Sequence, residues 1–290
     1  MNTPGKIIIN QSKCTRCKIC ANVCFSNFLP VEDGSIATLD SPSMCASCGH
    51  CVAACPADAI QHPAVPVSAC EPLRESSRLT YDQLMSFLKM RRSRREFTEQ
   101  NVSRDVIDKL LAAAVQAPNG INRRNVQYTV IVDRQVLGQI AVRTTQQIAG
   151  LAKLLNNPVS RFFFKLFNAN LYSELEFFMP LMNQIGAIRD RNVVTYNAPC
   201  AILVHTTKKD MCGSEDSVYA ASLIQYAAEA LGLGTCCIGF ITASINGDKA
   251  LQKLVGLPND HKIQTSLVVG YPEFRYGRST PKADANVKFV

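Results

Sequence analysis

The chain has 290 residues, 47% of them hydrophobic, a formal net charge of +8 and thirteen cysteines. That length serves one large domain or a small and a large one, and no small-residue cleavage site follows the short apolar run at the start, so no secretory signal is expected. All of the charge excess lies beyond residue 70, with four basic and four acidic side chains before it and 27 against 19 after it.

The first element is a pair of cysteine runs. Cys14, Cys17, Cys20 and Cys24 follow C-x2-C-x2-C-x3-C, and Cys45, Cys48, Cys51 and Cys55 repeat it, with Pro56 after the last. Two-residue gaps let one tight loop present three sulfurs to a cubane iron–sulfur cluster. The competing reading is paired zinc sites, but zinc takes two C-x2-C knuckles or a Cys/His mixture. Clustered cysteines in an odd total argue for metal in a reducing cytoplasm, not for disulfides. With "CPADAI" at 55–60, residues 1–70 resemble bacterial two-[4Fe-4S] ferredoxins, except that Phe25 stands where many have proline. The resemblance implies that the fourth cysteine of each run crosses over. Cys14, Cys17, Cys20 and Cys55 then hold one cluster, and Cys45, Cys48, Cys51 and Cys24 the other. His50 and His62 lack a second histidine at ligand spacing and read as structural or surface residues.

A polar stretch at 71–79 reads as a linker. Thr80 and Gln83 form a capping-box pattern before a helix with Tyr81, Leu84, Met85 and Leu88 on one face. A second helix is expected over 103–116, with Val106, Ile107, Leu110, Leu111, Ala114 and Val115 inward, stopped by Pro118, Asn119 and Gly120. Strands follow at 126–133 and 200–206, a long helix over 215–231, a strand at 235–240, a helix over 247–255 and a strand at 263–271. Residues 218–245 carry one charge, Glu229, but Gln225, Gly232, Gly234 and Gly239 interrupt them, so they read as buried helix, turn and strand and not as a membrane span. Interleaved strands and helices give an α/β or α+β layer structure.

Four islands carry chemistry. "RRSRREF" at 91–97 offers forked guanidinium donors and a hydroxyl to a phosphate dianion. "APNGINRRN" at 117–125 exposes backbone amides and places Asn122 to meet a heterocycle edge. "GLGTCCIGF" at 232–240 lets backbone approach a flat ring closely. "GYPEFRYGR" at 270–278 ends in arginines able to reach the same phosphate. In this order and spacing the islands resemble the FMN-dependent nitroreductase family over roughly residues 80–290, and the whole chain resembles a ferredoxin–nitroreductase fusion of anaerobic microbes. The resemblance implies an α+β fold, a homodimer and FMN at the dimer interface. It matches Arg91, Arg92, Ser93 and Arg95 to the phosphate and ribityl motif and Pro118, Asn119 and Asn122 to the segment along the isoalloxazine. Cys237, Ile238 and Gly239 match the strand near flavin N5, and Arg278 the C-terminal phosphate contact, with Lys282 as a weaker match. Many relatives have Gln-Pro-Trp where this chain has Arg124, Asn125 and Val126, and Cys-Trp where it has Cys236 and Cys237. These departures bear on substrate preference.

Plainer readings stand beside these. "RRSRR" is a solvated basic face on one reading, and the glycines and Asn122 are turn residues on another. A nucleic-acid patch would want aromatic interleaving, which is missing. Cys236 and Cys237 read as buried strand residues, because adjacent cysteines make a poor disulfide. The phenylalanines at 162–164, 167, 177 and 178 supply a lid, a dimer contact or plain core. The expected activity is electron flow from two [4Fe-4S] clusters to FMN and on to a nitroaromatic, quinone or activated alkene, with ferredoxin or NAD(P)H as donor. The alternative is an electron-transfer hub between redox proteins. No nucleic acid and no membrane span are expected.

Overall fold

The computed structural model describes residues 6–24, 26–30, 36–38, 45–188 and 191–290; Phe25 lies outside them. By its internal contacts the chain divides into two compact units, Met1–Thr80 with Gly120–Arg123, and Tyr81–Asn119 with Arg124–Val290.

The smaller unit is built from short pieces: β1 (Ile8–Ile9), α1 (Ile19–Val23), β2 (Phe28–Pro30), β3 (Ile36–Thr38), α2 (His50–Ala53) and β4 (Ile60–Gln61). β1 pairs antiparallel with β4, and β2 with β3. Ile7, Ile9, Phe28, Ile36, Cys51, Val52 and Ile60 form its core, with Cys14, Cys20, Cys24, Cys45 and Cys55 packed against them. The two cysteine runs take the same backbone path. Arg16 and Ser47 are left-handed at φ 59° and 50°, and Lys18 and Gly49 are left-handed caps at φ 63° and 75° on α1 and α2. Each run therefore curls through two left-handed residues and enters a helix at the same point. Gly49 has a second constraint, since a Cβ there would stand 2.9 Å from Val65 Cγ1.

The larger unit is a four-stranded antiparallel sheet in the order β5 (Gln127–Ile131), β6 (Cys200–Thr207), β8 (His261–Gly270), β7 (Gly234–Cys237). Helices cover both faces. α4 (Arg104–Ala114) and α8 (Gly213–Ala230) pack through Leu110, Ala114, Ile224 and Ala228 on Cys200, Ile202, Val204, Leu267 and Val269. α5 (Arg134–Asn156), α9 (Gly239–Gly247) and α10 (Lys249–Leu254) supply Ile140, Ile241, Ile245 and Leu251 to the other face, against Ala201, Leu203, Cys236 and Val268. The period-2 alternation along β6 sends Cys200, Ile202 and Val204 one way and Ala201 and Leu203 the other. With helices on both sides, "CAILV" is apolar throughout. The architecture is α+β.

Several sequence boundaries move. α3 (Tyr81–Met90) forms, yet Tyr81 and Leu84 remain exposed. α4 opens on Ser103, whose side chain accepts from Val106 N, and it ends at Ala114, which leaves Val115 exposed. The expected helix over 247–255 is the shorter α10, which Asp248 caps by accepting from Ala250 N at 2.8 Å and Leu251 N at 3.2 Å. The expected strand at 235–240 stops at Cys237, and Gly239 opens α9. α6 (Pro158–Phe167) and α7 (Ala169–Ala187) complete the unit, with Ile148, Leu155, Tyr172, Met182 and Ile185 buried between α5 and α7. Phe162, Phe163, Phe167, Phe177 and Phe178 are exposed, so they are not plain core. Among the described residues no helix is long and apolar enough to cross a membrane.

Candidate functional site

In the smaller unit the cysteines gather in two quartets. The thiol of Cys20 is pushed up by burial and then by the negative charges of Cys55, Cys14 and Cys17. That of Cys51 is pushed up to about 11 by burial and by Cys24, Cys48 and Cys45. In each case one of the acting cysteines, Cys55 for Cys20 and Cys24 for Cys51, belongs to the opposite run. A cavity is lined by Cys14, Cys17, Cys20 and Cys55 together with Ile9, Ile36 and Ile60. Four thiolates this close repel one another, so holding all of them ionised calls for a cationic body between them. No three His, Cys, Asp or Glu side chains among the described residues converge as they would on a single ion. None of the thirteen cysteines is in a disulfide.

Donors to sulfur surround the quartet of Cys24, Cys45, Cys48 and Cys51. His62 Nε2 lies 3.4 Å from Cys45 Sγ, Ser47 N donates to the same sulfur at 3.4 Å, and Asn27 Nδ2 reaches Cys24 Sγ at 3.7 Å. His62 is buried and is therefore a structural contact of a cysteine rather than a surface residue. Asn122, in a 3-10 turn at Gly120–Asn122, belongs to this same unit. Its Nδ2 donates to Ala46 O at 2.9 Å and Ser47 O at 3.0 Å, on the Cys45–Cys48 loop.

In the larger unit the ribbon 91–95 runs beside the edge strand β7. Ser93 bridges Thr235, Arg94 N donates to Thr235 O at 2.9 Å, and Gly234 permits the approach, since a Cβ there would stand 2.5 Å from Arg94 Cγ. Alternation splits the ribbon. Arg95, Ser93 and Arg91 act on the thiol of Cys236, which burial nevertheless pushes up. Arg91 also donates to Gln225 Oε1 at 3.2 Å, and Arg95 lies over the Tyr196 ring. Arg92 and Arg94 instead line a cavity of about 540 Å³ with Lys89, Arg275, Tyr276 and Arg278. Arg92 donates to Thr280 Oγ1, and Arg94 donates to Phe274 O at 3.0 Å with its guanidinium 4.3 Å from the Tyr276 ring centroid. Arg94 is 6% exposed and its Nε has no partner. Glu229 is the acidic group facing these cations, and burial raises its carboxyl against the pull of Arg94, Arg91 and Arg275. Such a cavity suits an anion.

Of the sequence candidates, the structure brings Arg92 and Arg278 to this cavity and turns Arg91, Ser93 and Arg95 toward Cys236. Cys237 is exposed at the end of β7, not buried as expected, Ile238 is buried and Gly239 begins α9. Asn119 closes its own loop, accepting from Arg124 N at 3.1 Å and donating to Ala117 O at 3.4 Å, and Pro118 is exposed beside it. Lys282 is exposed in the tail and does not line the cavity. Tyr172 is buried and donates to Glu176 Oε1 at 2.8 Å. Lys89, Arg94, Arg275 and Tyr276 were missed. Reading "RRSRR" as an extended ribbon with two faces would have set Arg94 beside Arg92.

Comparison with known proteins decides the family. Residues 88–271 match the model of the nitroreductase family, and residues 13–59 match a 4Fe-4S dicluster domain. The chain belongs to the nitroreductase family. It is an oxidoreductase of that family with an N-terminal dicluster ferredoxin domain. A nitroreductase of Bacteroides fragilis NCTC 9343, solved with bound FMN, matches with a TM-score of 0.53 at 19% identity, covering 72% of this chain and 98% of its own. An FMN-dependent nitroreductase of Clostridium difficile R20291 gives 0.54 at 20% identity, over 73% and 100%. A nitroreductase of Desulfitobacterium hafniense DCB-2 with bound FMN gives 0.53 at 18%, over 71% and 97%. At these identities the likeness is one of fold. No curated protein matches the chain.

Proposed function

We propose that this nitroreductase passes electrons from two [4Fe-4S] clusters to FMN, which reduces a small organic acceptor: a nitroaromatic, a quinone or an activated alkene. Bound clusters would supply one-electron steps, and FMN would join them to two-electron chemistry. Cys14, Cys17, Cys20 and Cys55 hold one cluster, and Cys24, Cys45, Cys48 and Cys51 the other. Arg92 and Arg278, reinforced by Lys89, Arg94 and Arg275, neutralise the phosphate through forked donors. Arg91, Ser93 and Arg95 lie toward Cys236, and Cys237, Ile238 and Gly239 meet the ring. The Gly239 and Phe240 N–H groups that open α9 suit the anionic edge of a reduced flavin. Pro118 and Asn119 complete the ring contact in a homodimer. Residues 1–70 form the cluster domain, 71–79 the linker and 80–290 the flavin domain, in a reducing cytoplasm, with ferredoxin or NAD(P)H as donor.

The observation that carries this reading is the convergence of five basic side chains on one cavity of a nitroreductase fold that also bears the cysteine quartets. The FMN in the Bacteroides and Desulfitobacterium structures supports it. The test is the double variant Arg92→Ala, Arg278→Ala, two cations that line the cavity. It is expected to lose flavin absorbance on purification and to keep its iron and acid-labile sulfide. Retained flavin would overturn the assignment.

A further inference from the structure

We propose that His62 sets the two clusters apart in potential: it donates an N–H···S hydrogen bond to the Cys45 thiolate, which makes the cluster of Cys24, Cys45, Cys48 and Cys51 the easier one to reduce. The inference rests on the cluster assignment above.

Hydrogen-bond geometry fixes the direction of the bond. Ala64 N donates to His62 Nδ1 at 3.1 Å. A backbone N–H can only donate, so Nδ1 carries the lone pair and the proton of the neutral ring is on Nε2. Nε2 is the atom that lies 3.4 Å from Cys45 Sγ. The side chain is 5% exposed and follows directly on β4, which anchors it through the Ile9–Ile60 pair. The imidazole is therefore a fixed donor aimed at a cluster ligand.

The same quartet collects further side-chain donors at Cys24. Asn27 Nδ2 donates to Ser26 Oγ at 2.8 Å and reaches Cys24 Sγ at 3.7 Å. The Ser26 hydroxyl, accepting from Asn27, is left to direct its own proton at Cys24 Sγ, 3.8 Å away. At the other quartet, among the described residues, Cys55 Sγ accepts from Ala59 N at 3.3 Å, the Thr15 side chain and the Ile19 amide act on Cys17, and the Ala21 amide acts on Cys20. Backbone donors accompany both runs, as their matching loops require. The imidazole N–H on Cys45 breaks the likeness.

Adding one electron to a cubane raises the negative charge on its sulfurs. A donor aimed at a ligating sulfur stabilises that charge and moves the potential upward. One electron entering the chain would then rest on the Cys24/45/48/51 cluster, and a second, at lower potential, on the other. Nothing is consumed beyond the electron from the external donor. His62 is a positioning and tuning residue and not a ligand.

The experiment is an anaerobic potentiometric titration of the full holoprotein followed by electron paramagnetic resonance, on wild type, His62→Phe and His62→Gln. Wild type is expected to reduce in two separated steps. His62→Phe keeps ring volume and loses the donor, so the upper step should move to more negative potential while the lower one stays. His62→Gln, which retains an N–H, should recover part of the shift. Unmoved potentials in a His62→Phe protein with full iron and sulfide would overturn the inference, as would equal shifts of both steps. Iron content below that of two cubanes in wild type would instead overturn the cluster assignment. If His62→Phe fails to fold, wild type labelled with 15N-histidine gives the answer. A hyperfine coupling from imidazole nitrogen to the first-reduced cluster is expected, and its absence would overturn the proposal.

Discussion

The two units of this chain are stabilised in opposite ways. In the larger one, core and site are separate. Ile202, Leu203, Val204 and Leu267 are fully buried in the middle of the sheet, while the charged ribbon 91–95 lies along its edge strand. In the smaller one, core and site coincide. Among the described residues, six buried apolar side chains form the core together with Cys51, and cysteines of both quartets pack directly against them. The first arrangement lets packing and chemistry vary independently. In the second, the group that does the chemistry is also part of the interior, and a unit this small has little else to bury.

The sharpest way to break the contrast is to remove iron. Chelation under reducing conditions should release the smaller unit, with loss of amide-exchange protection over β1, α1, α2 and β4. The larger unit should keep its cooperative thermal transition. Persisting protection around Cys51 in iron-free protein would contradict this. The complementary blow is Leu203→Ala, which removes a fully buried side chain from β6. Large-to-small changes of this kind cost about 2–5 kcal/mol, so the larger unit should unfold at clearly lower denaturant while the cluster absorbance is unchanged.

A finer difference lies in pH. His205 Nδ1 meets His261 Nδ1 at 2.8 Å and its Nε2 meets Thr129 Oγ1 at 3.1 Å, inside the sheet. Burial, and then the neighbouring His261, hold its pKa down to about 4 from 6.5. Because the folded value is depressed, the unfolded chain takes the proton first. The contribution is complete above pH 6.5 and is lost as pH falls toward 4. The larger unit's midpoint should therefore drop over that interval, and His205→Gln should flatten the dependence. A wild-type midpoint constant across the window would contradict the account.

How much was legible in the sequence follows the same division. The loops of the two cysteine runs were readable because each is local: two-residue gaps with left-handed residues at matching places determine the loop whatever surrounds it. The strand at 200–206 was readable because burial on both faces makes it apolar throughout. The anion cavity was only half readable. Arg92 and Arg278 were in view, but Arg94, Arg275 and Lys89 join them through contacts far apart in the chain, such as Arg94 to Phe274 and Arg92 to Thr280. No periodicity reports which loops meet. The role of His62 was hidden for the same reason, since its partner is seventeen residues away. The turn from strand to helix at Gly239 was missed because "TCCIGF" is as apolar as a strand and the residue at the cap position, Ile238, has no polar side chain to mark the start.

The measurement that bears most directly on the central claim is an anaerobic absorbance titration of the purified holoprotein with reduced ferredoxin, NADH and NADPH in turn, beside the Cys14→Ser, Cys17→Ser variant. Electron flow through the clusters predicts that reduced ferredoxin bleaches cluster and flavin bands together in wild type, and that in the variant the flavin stays bound but oxidised. A flavin that bleaches equally fast in the variant, or that a pyridine nucleotide reduces while the cluster bands lag, would contradict it.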